Sequence, residues 1–445
     1  MKRFFCLFLF FFLEAQVHAA FSDAEGSWYR DSINSLAEKM IISGFGDGTF
    51  GPRKNVTRAE MLKISFLAGG KKTLEDSRKQ CFPDVSPNAW YAEYICSAKE
   101  LGLANGHQDG LFRPNNPVSA HEAIAFLSRM MDAPLQDAQT DWYEPYEEYA
   151  DANDLFPAER YNTNTYILRG EVTELTSRFL KKENGEKVSS LSVGCGKNPT
   201  QNLSPLLVNG VQRSFLQYIP DAYRSNTPHG LVVAVHGRTN SNAMVKNYMG
   251  LEGGKKWQGG ARDQEDFLVV YPAGQSASRG TYSWSNRTNL DFIEQLVTTM
   301  AENYCIDRNK VFVVGHSLGG YFANRLACER GDIFRGMGVV GGSISNGSCE
   351  SPTAGMYFHH PRDWAVPISQ GETARNIRLA ANNCDPSVFE QKYFGENVCL
   401  HYDECRTGNP VVWCTEFNTY RGDTHSWPNN AGNIFLDFFR SLTKE

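Results

Sequence analysis

Val311-Phe312-Val313-Val314-Gly315-His316-Ser317-Leu318-Gly319-Gly320 is the stretch on which the reading of this chain turns. Four apolar residues run into a serine flanked by glycines, and the amphipathic stretch Tyr321 to Arg330 follows. The pattern predicts a strand, a sharp turn and a helix, with the serine at the apex. Glycines belong on both sides because the backbone at the apex is strained and its neighbours must clear the strand and helix packed around the turn. Around it, Val232 to Val235, Phe267 to Tyr271 and Met337 to Val340 are short apolar runs rich in β-branched residues, separated by helical stretches such as Leu290 to Tyr304. Alternating strands and helices predict an α/β domain with a mainly parallel sheet flanked by helices.

A serine hydroxyl is a weak nucleophile at neutral pH, so it needs a base within hydrogen-bond reach and a third group to orient that base. In the α/β-hydrolase arrangement the acid and then the histidine follow the serine along the chain. His425, in Gly422-Asp423-Thr424-His425-Ser426-Trp427-Pro428, lies after the strand-like Val411 to Thr415 and before a terminal helix ending near Leu442. It is the candidate base. His359 and His360 end the strand that starts at Met356, one strand too early. Asp363, in the loop after that strand, is the candidate acid over Asp385, Asp403 and Asp423, the last of which lies so near His425 that it shapes the loop. An oxyanion needs preorganised donors. The Leu318 N–H is one candidate, and the second comes from the loop after Leu231 to Val235, with Arg238 first and Gly237 next. Trp284, Trp427, His236 and His316 are candidate pocket residues. Trp284, Trp364 and Trp427 either offer flat faces to a ring of the substrate or belong to the core. No metal or organic cofactor is required by this chemistry.

Gly194-Cys195-Gly196-Lys197, the Val235-His236-Gly237 turn, Ile306-Asp307-Arg308-Asn309-Lys310-Val311 and Asp423-Thr424-His425-Ser426-Trp427-Pro428 resemble the feruloyl and acetyl xylan esterases of carbohydrate esterase family one. The same signature is similar to secreted polyhydroxybutyrate depolymerases. The resemblance covers about residues 191 to 445 and implies hydrolysis of a carboxylic ester through an acyl-enzyme, on an ester-bearing polysaccharide or, alternatively, a polyester. Arg238 stands where a small residue or Cys is expected after His-Gly.

The N-terminal part repeats itself. Phe21-Ser22-Asp23, Trp28, Asp47-Gly48-Thr49-Phe50 and Val56-Thr57-Arg58-Ala59-Glu60 recur as Phe82-Pro83-Asp84, Trp90, Asp109-Gly110-Leu111-Phe112 and Val118-Ser119-Ala120-His121-Glu122. Trp28 to Glu60 and Trp90 to Glu122 each span 32 positions, whereas a divergent third unit, Trp142 to Glu171, spans 29 and lacks the Asp-Gly turn. Each unit predicts helix, loop, helix, with Thr57 or Ser119 capping the second helix in a box with Glu60 or Glu122. Trp28, Trp90 and Trp142 read as core. These units resemble S-layer homology (SLH) domains. The resemblance implies a mainly helical module that binds bacterial cell-wall polysaccharide, with Arg58 and Arg169 as candidate ligand cations and Ala120 replacing arginine in the second unit.

The expected division is a signal peptide over 1–19, repeats over 20–70, 80–133 and 137–183, a polar linker over 184–205 and the hydrolase domain over 206–445. Lys2 and Arg3 before the apolar run Phe4 to Leu13, then Val17-His18-Ala19, read as a cleaved secretory signal, leaving no membrane span. Cys6 falls inside the apolar run. The other ten cysteines suit disulfides in an oxidising, extracellular compartment, with Cys81 and Cys96 as a local pair; nothing in their spacing suggests a metal site. A formal charge of -6 gives no field for gathering nucleic acid. A reading of another class is a surface-layer or adhesion protein with an inactive hydrolase-like domain, against which the filled serine, acid and histidine positions speak. A peptidase on the same fold is less attractive without propeller-like repeats.

Overall fold

The computed structural model describes residues 21–74, 80–136, 141–156, 166–186, 188–200, 203–252, 264–277, 280–345, 349, 351–394, 397–405, 407–419 and 422–442. The expected signal peptide lies outside them. The N-terminal part is helical: α1 (Arg30–Glu38), α2 (Arg58–Ala68), α3 (Ala92–Glu100), α4 (Ala120–Met130), α5 (Glu144–Ala152) and α6 (Arg169–Glu183), two helices to each repeat. Thr57 and Ser119 cap α2 and α4, and Glu60 and Glu122 return the bond to the cap amides at 2.8 and 3.0 Å. The three units close on one another at these caps. Backbone bridges join Asn55 to Leu168, Thr57 to Pro117 and Ser119 to Tyr166.

The C-terminal part runs β1 (Leu206–Val208), β2 (Val211–Arg213), β3 (Phe215–Tyr218), β4 (His229–Val235), α7 (Asn242–Tyr248), β5 (Phe267–Pro272), β6 (Gln275–Ser276), β7 (Tyr282–Ser283), α8 (Arg287–Asn303), β8 (Ile306–His316) and α9 (Leu318–Glu329). It continues with β9 (Gly336–Val340), β10 (Ala354–Phe358), α10 (Ile368–Ala381), β11 (Glu390–Phe394), β12 (Asn397–Tyr402), β13 (Val411–Glu416) and α11 (Ala431–Ser441). Nine strands form one sheet in the order β11-β12-β13-β10-β9-β8-β4-β5-β3. The run from β13 to β5 is parallel, with antiparallel β3 at one edge and the β11–β12 hairpin at the other. The central strands are apolar and buried throughout because helices cover both faces, as a parallel sheet requires. Register places Val233 beside Val313 and Val313 beside Met337, a row in the core shared with α8 and α9. The opposite face, with Val232 and Phe312, packs on α11. The α/β-hydrolase class expected from the strand and helix pattern is the class observed.

All ten cysteines after Cys6 are bonded: Cys81–Cys96, Cys195–Cys305, Cys328–Cys349, Cys384–Cys405 and Cys399–Cys414. Cys195–Cys305 and the bond from the Ser192 amide to the Ile306 carbonyl (2.8 Å) hold part of the polar connecting stretch against the start of β8.

The repeat module also docks there through charge. Arg53 reaches Glu294 at 3.0 Å and Asp332 at 2.5 Å, Tyr29 donates to Asp332, and Arg330 pairs with Glu294 at 2.9 Å. Arg308 pairs with Glu174 at 3.1 Å and lies over the Trp28 ring at 4.3 Å. Burial alone would raise the Glu174 carboxyl, but Arg308 and Arg178 outweigh it and hold it at about 2. Trp28 is 8% exposed beneath this contact, whereas Trp90 and Trp142 are 51% and 54% exposed, so only the first of the three expected core tryptophans is buried.

Candidate active site

β8 ends at His316 and α9 begins at Leu318, so Ser317 alone makes the turn, at φ 56° and ψ -123°. The left-handed backbone is costly for a residue with a side chain and is stabilised by its surroundings. A Cβ on Gly315 would fall 2.1 Å from the Gly319 carbonyl oxygen, and one on Gly319 would fall 2.3 Å from that of Val235. Both glycines are therefore required by contact, and the Ser317 amide is anchored to the Val340 carbonyl at 2.9 Å.

The loops after β10 and β13 bring the other two candidates to this turn. His425 Nε2 lies 2.9 Å from Ser317 Oγ, and His425 Nδ1 lies 2.8 Å from Asp363 Oδ2. The second carboxylate oxygen of Asp363 accepts the Ala365 and Val366 amides at 2.8 and 2.9 Å. Burial would raise the Asp363 carboxyl; the bonds from His425, Val366 and Ala365 prevail and hold it below the usual carboxylate range. Asp423, the competing acid, binds elsewhere. Its Oδ1 accepts the His425 amide at 3.1 Å and Trp364 Nε1 at 2.9 Å, while Oδ2 accepts Ser426 Oγ at 2.8 Å. His359 donates to the Val366 carbonyl at 2.8 Å and is 3.8 Å from Asp363, so it braces the acid loop.

The loop after β4 passes over the serine: a Cβ on Gly237 would sit 3.4 Å from Ser317 Cβ. The Gly274 amide donates to His236 Nε2, so Nδ1 carries the proton and donates to the Gly237 carbonyl, both at 2.8 Å. Trp284 Nε1 donates to the His236 carbonyl at 2.9 Å. Leu318 stands at the first position of α9, where an amide has no intrahelical acceptor. The candidate pocket residues sit lower than expected: Trp284, Trp427, His236 and His316 are buried, and Trp284 stacks on Phe322 at 4.9 Å. His236, Trp284 and His316 are hydrogen-bonded to the backbone around the turn, and the Trp427 ring packs against those of His316 and Tyr248. Trp364 is the exposed aromatic at the rim, 74% accessible, its ring centroid 5.6 Å from that of His425 in an edge-on arrangement. Its bond to Asp423 has no signal in local sequence.

In the repeat module, Arg58 is buried, pairs with Glu122, donates Nε to the Phe112 carbonyl at 2.8 Å and lies over the Phe112 ring at 4.6 Å. Arg169 makes the corresponding bond to the Phe50 carbonyl at 3.0 Å and another to Ser43 at 2.7 Å, and remains partly exposed. Among the described residues no helix is long and apolar enough to cross a membrane, and no cluster of three metal-ligating side chains is found.

Residues 20–62 and 82–122 match the S-layer homology domain, and residues 275–381 match the prolyl oligopeptidase family, which spans Ser317 and Asp363. A probable feruloyl esterase C from Aspergillus flavus is 31% identical over 253 residues, covering 54% of this chain and 86% of the relative. A cell surface protein from Thermoanaerobacter kivui is 34% identical over 158 residues, 34% of this chain and 20% of that protein. An acetyl xylan esterase structure from Aspergillus awamori aligns with a TM-score of 0.42 at 16% identity, over 55% of this chain and 99% of that one. A chain that carries S-layer homology domains ahead of an α/β-hydrolase domain, and that shares 31% identity with most of a feruloyl esterase C, is a carboxylic ester hydrolase and belongs to the feruloyl esterase family.

Proposed function

We propose that the chain is a secreted, cell-surface-held serine esterase that releases acyl groups, feruloyl or acetyl, from polysaccharide. The observation that carries this reading is His425 bridging Ser317 and Asp363 at 2.9 and 2.8 Å. Ser317 Oγ attacks the ester carbonyl as His425 Nε2 takes its proton, and Asp363 holds the imidazole in the tautomer that can accept it. The Leu318 N–H, with that of Arg238 or Gly237, receives the developing oxyanion. Collapse expels the sugar alcohol, which takes the proton from His425, and leaves the acyl group on Ser317. Water activated by His425 then attacks the acyl-enzyme, restoring the serine and freeing the acid. The exposed Trp364 indole beside His425 suits the flat face of a feruloyl ring or a sugar.

In the same reading residues 1–19 are removed on export and the repeats hold the enzyme to a wall polymer, Arg169 being the more accessible cation. The module meets the hydrolase at Arg308, near the start of β8, and Ser317 follows its end. At about 3.3 Å per residue, roughly 30 Å of strand separates this docking contact from the nucleophile.

The test is hydrolysis by residues 21–445 of methyl ferulate, of an aryl acetate and of a polyhydroxybutyrate suspension, with Ser317→Ala alongside. Ferulate release abolished by the substitution is the expected result. Clearing of the suspension instead would identify a polyester depolymerase, and equal rates for both proteins on all three would leave a binding module.

A further inference from the structure

The residue before the candidate nucleophile is also a histidine, and the ester hydrolysis set out above gives it no task. His316 is buried, and both ring nitrogens are engaged. Nε2 lies 2.8 Å from the His425 carbonyl oxygen. A carbonyl only accepts, so Nε2 carries the proton and Nδ1 is the bare nitrogen. Nδ1 lies 2.8 Å from Tyr248 Oη, which must therefore donate to it, and Asn240 Nδ2 donates in turn to Tyr248 Oη at 3.3 Å. The donors run in one direction, from Asn240 in the loop after β4, through Tyr248 at the end of α7 and His316 at the turn, to the backbone of His425. The Trp427 ring packs against those of His316 and Tyr248, with centroids 5.9 and 6.0 Å away.

We propose that His316 is a positioning residue: a neutral imidazole of fixed tautomer that holds the His425 backbone and keeps Nε2 of His425 aligned on Ser317 Oγ. The inference rests on the esterase reading. His425 lies on a loop with no ladder of its own; Asp423 holds its amide and His316 holds its carbonyl, so the ring is pinned from both sides of its own backbone. Tyr248 sets the tautomer. Without its hydroxyl, His316 is free to turn a bare nitrogen toward the carbonyl, which repels it. The charged and titratable neighbours of His316 are His425, Asp363 and Asp423, with Tyr248 on the other side. Burial, helped by the neighbouring His425 ring, outweighs the His425 carbonyl and the Asp363 and Asp423 carboxylates, which favour the charged form, and pushes the His316 imidazole down to about 4.

The experiment compares His316→Leu, His316→Gln and Tyr248→Phe on methyl ferulate, with melting temperatures and Ser317→Ala in parallel. Displacing a reacting group by about 1 Å costs on the order of 100-fold. His316→Leu should therefore lower kcat about 10- to 100-fold with KM within about twofold. Gln can place an amide N–H near the position of Nε2 and should recover most of the loss; Tyr248→Phe should lose about three- to tenfold. A folded His316→Leu protein with kcat within about twofold of wild type overturns the proposal. So does a loss that falls on KM, or one that Gln does not restore while still folded. If His316→Leu does not fold, Tyr248→Phe decides: unchanged kcat overturns the proposal and the stated loss supports it. Full activity in Ser317→Ala would instead sink the esterase reading itself.

Discussion

The two ends of β8 hold charge in opposite ways. At its start, Arg53, Asp332, Glu294, Arg308 and Glu174 are sealed between the repeat module and the hydrolase, each acid matched by a cation. At its end, Asp363 faces the His425 ring and two backbone amides, and Ser317 and His425 are only partly covered. Paired buried charge fixes one body against another, and its members lose more by separation than they gained by meeting. In the proposed reaction, Asp363 meets its counter-charge when the imidazole takes the proton of Ser317. On the proposed mechanism, the difference sorts these groups into those that hold and those that act.

The sharpest break of this comparison is at the acting end. Asp363→Asn should keep the fold and lower kcat about 10⁴-fold, because the histidine is then held in the wrong tautomer. A loss of less than tenfold on methyl ferulate would return the acid role to Asp423. At the holding end, Arg53→Ala leaves Glu294 paired with Arg330 but leaves buried Asp332 with the Tyr29 hydroxyl in place of its nearest cation, and about 3 kcal/mol of stability should be lost. The turnover of the folded fraction should be unchanged. Denaturant unfolding followed beside kcat separates the two, and a drop in kcat with unchanged stability would show that the poles are not independent.

How far each pole was legible follows from the same contrast. The serine turn declares itself in ten consecutive residues, and the order acid then histidine follows from the fold, so Ser317, Asp363 and His425 were found as candidates before any geometry. The docking pole is built from pairs such as Arg53 with Asp332 and Arg308 with Glu174, more than a hundred positions apart. No local pattern marks them. Trp28, Trp90 and Trp142 occupy equivalent positions in their repeats, and only the hydrolase lying on the first unit makes Trp28 different. Composition likewise made 184–205 a polar connection without showing that Ser192 and Cys195 are fastened to β8. Tyr248 was missed because its meaning is a bond to a residue 68 positions away.

Acid should loosen the whole body before it strips the docking charges. Burial holds His236, His316 and His359 below the usual imidazole range, His316 at about 4. Their folded values are the lower ones, so between pH of about 6.5 and about 4 the unfolded chain binds protons that the folded chain refuses. Stability is then full above about 6.5 and falls as pH drops through that window, by roughly 3 kcal/mol for His316 alone. Glu174, held at about 2, keeps its contribution above the ordinary carboxylate range and loses it only as pH falls toward that value. A melting temperature that is flat from pH 7 to 4 would rule out neutral buried histidines; a slope reduced in His316→Gln would assign its share.

The smallest expected effect asks whether the acting pole also chooses its substrate. Trp364 does two things at once: its indole face is open beside His425, and its Nε1 is tied to the Asp423 oxygen that holds the His425 amide. If the open face binds a ring, Trp364→Ala should raise KM for methyl ferulate about five- to tenfold, the equivalent of roughly 1 kcal/mol of aromatic contact. A small aliphatic acetate has no ring to lose, so its kinetics should barely change. If the tie to Asp423 is what matters, both esters should lose kcat alike, because the histidine loop serves every substrate. A selective rise in KM makes Trp364 part of substrate choice, and an equal loss in kcat moves it into the support of His425.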